Sequence, residues 1–119
     1  MATITCISHI HLYVRDPDRS LAFYRAVLGF EEKFRVRDQL FASTPDEGAW
    51  LTLHQSDADT VGTMGGVAHF GFALAEGQSL DDAVREAEQA GSRLIERGEH
   101  MPGLSYALLT DLDGYVFEI

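Results

Sequence analysis

The chain has 119 residues, room for one domain with a real core and too few for two of ordinary size. Its 45% hydrophobic and 24% charged residues fit a soluble globular fold, and no apolar run approaches the ~20 residues of a membrane span. A net charge of −10 argues against nucleic-acid binding, since phosphates want a basic face, and a lone cysteine, Cys6, excludes an internal disulfide framework.

The opening "MATITCISHI" has no basic stretch followed by a cleavable apolar core, so no secretory signal is expected there. With the single cysteine, this points to a reducing, cytoplasmic setting. Residues 3–14 alternate as a strand, with Ile10, Leu12 and Val14 on one face and His9, His11 and Tyr13 on the other. Cys6 falls opposite His9 and is expected in the core. "DPDRS" then starts a helix, with Asp16 as cap and Pro17 in the first turn. Leu21, Tyr24, Val27 and Leu28 form its apolar stripe, and Gly29 stops it. Strands are predicted over 30–37, 39–44 and "AWLTLHQ", with "PDEG" as a turn.

"SDADTVGTMGG" is glycine-rich and poor in apolar residues, which predicts a flexible connector. Order resumes with a strand at 67–75 and a helix at 79–90 that buries Leu80, Val84 and Ala87 and is closed by Gly91. Three more strands follow, at 92–98, 104–110 and 115–119. The order is β-α-β-β-β, a connector, and β-α-β-β-β again, an α+β fold of two related modules. Module 1 spans about 1–56, the linker about 57–66 and module 2 about 67–119, all within a single domain.

The repeat places residues at equivalent slots. His9 opens the first module and His69 the second, while Thr52 and Glu118 occupy the equivalent position of each last strand. Three of these four are good metal ligands. Strand parity adds His11 and Tyr13 beside His9, Trp50 and His54 beside Thr52, and Gly71 beside His69. The opposite faces are apolar throughout, as where helices cover a sheet. Parity puts four of the five histidines on the polar face and leaves His100 off it. Two imidazoles and one carboxylate suit a divalent metal (Fe, Mn, Zn, Ni or Co) and leave coordination positions open for a substrate.

"HIHLYVRDPDRSLAFYRAVLGF" resembles the first module of the vicinal oxygen chelate superfamily. That superfamily includes glyoxalase I, bleomycin-resistance proteins, fosfomycin-resistance enzymes and extradiol dioxygenases. The matching features are His9, Val14 with Asp16, Ser20 with Phe23 and Tyr24, and Leu28-Gly29-Phe30. "AHFGFAL" and "DLDGYVFEI" resemble the second module. The resemblance implies curled mixed sheets forming a metal-centred cup, with His9, His69 and Glu118 as metal ligands. It further implies a homodimer whose sites take the first-module ligand from one subunit and the second-module ligands from the other, and two-fold dimers are the commonest oligomer. Where glyoxalase I has a fourth ligand this chain has Thr52, which disfavours that enzyme. Three-ligand dioxygenases and fosfomycin-type transferases are then nearer analogies.

The leading expectation is a metal-dependent enzyme that chelates an oxygenated small molecule, by lyase, dioxygenase or thiol-transferase chemistry. His11 and His54 are its candidate catalytic groups. Tyr13, Trp50, Thr52 and Gly71 are its candidate substrate contacts. No nucleic acid or membrane partner is expected. The alternative is a non-catalytic resistance protein of the bleomycin type, favoured by the acidity and by the aromatic pair Tyr13 and Trp50. A third reading has the domain as a regulatory subunit with structural histidines. Arg15, Arg35 and Arg37 are weaker candidates for holding an anion.

Overall fold

The computed structural model describes residues 1–119. Module 1 runs β1 (His9–Val14), α1 (Pro17–Leu28), β2 (Glu31–Val36), β3 (Gln39–Ser43) and β4 (Trp50–Gln55). Module 2 runs β5 (Phe70–Gly71), α2 (Leu80–Gln89), β6 (Leu94–Met101), β7 (Leu104–Thr110) and β8 (Val116–Glu118). Each module makes one open four-stranded sheet, ordered β1-β4-β3-β2 and β5-β8-β7-β6. Only β1–β4 and β5–β8 pair in parallel, so both sheets are mixed. No helix is long and apolar enough to cross a membrane.

Local chemistry sets the helix ends. Asp16 is extended at φ −141 and its side chain accepts from the amides of Asp18 and Arg19, which fixes the start of α1. Gly29 ends it in the left-handed region at φ 74, with its amide returned to Arg25. Ser79 caps α2 in the same way as Asp16. The C-cap of α2 is Ala90, one residue before the predicted glycine.

Two predicted strands are shorter in the structure, for one reason. His9 lies opposite Trp50, the first residue of β4, so residues before His9 have no strand to pair with. The stretch 1–8 carries no strand, and Cys6 is exposed rather than in the core. Likewise β5 has only β8 beside it, and shrinks from 67–75 to two residues. The second strand of module 2 starts later than the predicted 92–98 and runs on to Met101.

The apolar faces of both sheets share one core with the helices. Phe23 and Tyr24 of α1 pack on Phe117 of β8 at 6.2 Å between ring centroids, and Phe30 packs on Phe72 at 5.6 Å. Tyr24, Phe30 and Phe117 are fully buried. Each such side chain contributes about 1.5–3 kcal/mol by leaving water. A buried polar junction fastens the modules together. The Tyr24 hydroxyl donates to Asp111 Oδ2 at 2.7 Å, and Asp111 Oδ1 accepts from the amides of Asp113, Gly114 and Tyr115. The Tyr115 hydroxyl donates to the Tyr13 carbonyl at 2.7 Å. The connector is anchored there too. Val61 is buried, and a Cβ on Gly62 (φ +82) would lie 2.0 Å from the Asp113 carbonyl oxygen, so only glycine fits.

Candidate metal and substrate site

The register lays out the open face of the module 1 sheet row by row. His9 lies beside Trp50 and Ser43, His11 beside Thr52 and Phe41, and Tyr13 beside His54 and Gln39. A bulge at Lys33 then brings Phe34 opposite Phe41. Cross-strand neighbours share a face, so these residues form one surface, opposite the core face of Leu12, Leu51 and Leu53. Phe34 stacks on Phe41 at 4.5 Å and 15°, with Trp50 at 6.4 Å. The two phenylalanines were not among the predicted contacts and extend the aromatic wall begun by Trp50. Thr52 is 3% exposed, so it sits at the floor between His11 and Phe41 and offers little surface.

Three polar side chains on this face form a chain. His11 Nε2 is 2.9 Å from His54 Nδ1, and His54 Nε2 is 3.2 Å from Asp38 Oδ2. The Tyr13 ring lies 4.9 Å from that of His54 and 5.4 Å from that of His11. Burial, then the neighbouring His54 and His9, hold the His11 imidazole below the ordinary histidine range. Sequence reasoning found both histidines but not Asp38, which lies in the β2–β3 turn.

On the open face of module 2, Glu118 is the centre. His69 Nε2 lies 3.2 Å from its Oε2, and His100 Nε2 lies 3.1 Å from its Oε1. His100 therefore belongs to this face, contrary to the parity expectation. The register shifts between Glu99 and Met101, and that irregularity turns the intervening side chain inward. Its ring stacks on Tyr106 at 4.2 Å and 16°. Gly98 makes room for this, since a Cβ there would come within 3.1–3.3 Å of the Tyr106 ring. Gly71 pairs with Glu118, and a Cβ there would make ordinary contact with the Glu118 Cβ at 3.5 Å.

His9 stands apart. Its Nδ1 meets Ser8 Oγ at 2.7 Å. A cleft of about 1260 Å³ has His9 and Trp50 in one wall and His69, Gly71 and Glu118 in another. No three His, Cys, Asp or Glu side chains of one chain converge to hold a metal ion. His69 and Glu118 stand as an adjacent pair of residue types chemically suited to a divalent first-row metal. Arg35, a candidate anion contact, faces the helix side instead, where it pairs with Asp18 and Glu32.

Comparison with known proteins agrees with this architecture. The family model described as Glyoxalase/Bleomycin resistance protein/Dioxygenase superfamily matches residues 6–119. The fosfomycin resistance protein FosX of Listeria monocytogenes serovar 1/2a is 22% identical over 122 residues, covering 98% of this chain and 89% of the relative. A mutant of Listeria monocytogenes FosX, complexed with Mn(II) and 1S,2S-dihydroxypropylphosphonic acid, superposes with a TM-score of 0.76. It is 21% identical, with coverage of 98% and 89%. A glyoxylase/bleomycin resistance protein/dioxygenase domain from Frankia sp. EAN1pec superposes at 0.73 with 25% identity, covering 98% of this chain and 96% of that one.

Proposed function

Because the chain belongs to the Glyoxalase/Bleomycin resistance protein/Dioxygenase superfamily, we propose that it is a metal-dependent enzyme acting on an oxygenated small molecule. The observation that carries this is the pairing of His69 with Glu118 at 3.2 Å on an open sheet face. His69 and Glu118 of one chain would hold the cation together with His9 of a second copy. Both apolar faces of a chain are committed to its own core, so the histidine faces are left for another molecule to close. A divalent cation bound there supplies Lewis acidity toward a substrate oxygen. Manganese is the metal to try first, since FosX was crystallised with Mn(II).

The chain's own residues divide the remaining work. His100 holds the outer oxygen of Glu118, leaving Oε2 directed to the His69 side. Trp50, Phe41 and Phe34 offer a flat apolar wall to the substrate. His11, beside His9 on the same strand face, accepts or returns a proton at its free ring nitrogen, with His54 behind it. Purified protein loaded with Mn(II) and desalted should retain about one ion per chain. His69→Ala should lose it, and a variant that retained the wild-type content would overturn the reading.

The aromatic wall also favours a second reading, sequestration of a flat ligand without turnover. Ligand binding that persisted fully in the presence of a chelator would support it over the enzyme.

A further inference from the structure

The line of hydrogen bonds from Asp38 to His11 carries more information than its distances. A carboxylate only accepts, so His54 Nε2, at 3.2 Å from Asp38 Oδ2, must carry a hydrogen. In a neutral ring the other nitrogen is then a bare acceptor. His54 Nδ1 lies 2.9 Å from His11 Nε2, so the hydrogen of that bond belongs to His11. His11 Nδ1 is left with a lone pair.

We infer that Asp38 is a positioning residue that acts through His54 to fix His11 in the Nε2–H form, keeping His11 Nδ1 as an acceptor for a hydroxyl-bearing ligand. The assignment of hydrogens stands without any metal; only the use of Nδ1 rests on the function proposed above. It narrows the ligand class. A group that brings an O–H to His11 is matched, whereas an acceptor-only group such as a fully ionised carboxylate meets a lone pair.

The surroundings are built for this arrangement. Asp38 stands in a two-residue turn, since Val36 pairs with Gln39. Arg37 beside it takes the left-handed region at φ 57, where a residue with a side chain is uncommon. That turn folds back over the end of β4, and the amide of Gln55 donates to the Asp38 carbonyl at 3.0 Å. The Asp38 carboxylate is thereby brought next to His54. The Tyr13 ring, within 5.4 Å of both imidazole centroids, limits their rotation.

Nitrogen-15 NMR on the full-length protein reads ring hydrogens directly. At pH 8, above the ordinary histidine value of ~6.5, long-range proton–nitrogen correlations should show Nε2 protonated and Nδ1 bare in both His11 and His54. In Asp38→Ala both rings should move toward a mixture of forms, while circular dichroism stays unchanged. His54→Gln is the second variant, because its amide oxygen still accepts from His11 Nε2. It should leave His11 in the wild-type form, whereas His54→Phe should release it. Protonation of His54 at Nδ1 in the wild type would overturn the inference. So would an Asp38→Ala protein whose two rings matched the wild type. If the tautomers hold but Mn(II) does not bind, the metal reading fails and this one stands.

Discussion

A split site has a signature that no single-chain site shares. Let His9→Ala and His69→Ala chains be prepared apart and then refolded together in equal amounts. Under the proposed division of ligands, each variant alone would pair with itself, and every site would lack one imidazole. A deleted direct ligand should cost at least the 10–100-fold in affinity that losing a supporting contact costs. In a mixed dimer the substitutions fall together. One site takes its first-module residue from the His9→Ala chain and its second-module residues from the His69→Ala chain, and loses both histidines. The other site is whole. Random pairing makes about half of the dimers mixed, so the mixture should regain about a quarter of the wild-type Mn(II) sites. Electron paramagnetic resonance of unbound Mn(II), titrated near the wild-type Kd, counts them. A mixture that bound no more than the variants alone would refute the division of ligands between copies.

Three further outcomes follow from the geometry. His100→Ala should weaken Mn(II) binding by about 10-fold or more, read by the same titration, because the outer oxygen of Glu118 loses its partner. Tyr24→Phe should lose about 1–3 kcal/mol in urea denaturation, since it strips a bond from a buried carboxylate. Burial raises the Asp111 pKa above its ordinary value, so its folded value lies above its unfolded one. Its contribution to stability is therefore complete below the unfolded value of ~3.9, and is lost as pH rises through the folded value. Asp111→Asn should flatten that part of the stability curve in thermal melts across the acid range.

Alternation made most of the fold legible. Ile10, Leu12 and Val14 against His9, His11 and Tyr13 gave both the strand and its two faces, and the same pattern in Phe70 and Phe117 gave the second module. What alternation missed lies where alternation breaks. His100 and Phe34 stand at register shifts, where one extra residue reverses the side that parity assigns. Asp38 lies in a turn, which has no face to count. Strand length was overestimated at residues 3–8, 67–69 and 72–75, because pattern alone does not reveal how long the neighbouring strand is.

The edges β1 and β5 end their sheets with one side unpaired, and Ile4, Ile7 and Val67 stand exposed just ahead of them. Open edges of this kind invite other chains, wanted or not. If a second copy covers them, the surface that would otherwise aggregate and the gap that parts His9 from His69 close in one event. Competence would then answer to the concentration of the chain itself, while the core within each chain keeps its fold. Dilution would remove the reactive centre before it unfolded any strand.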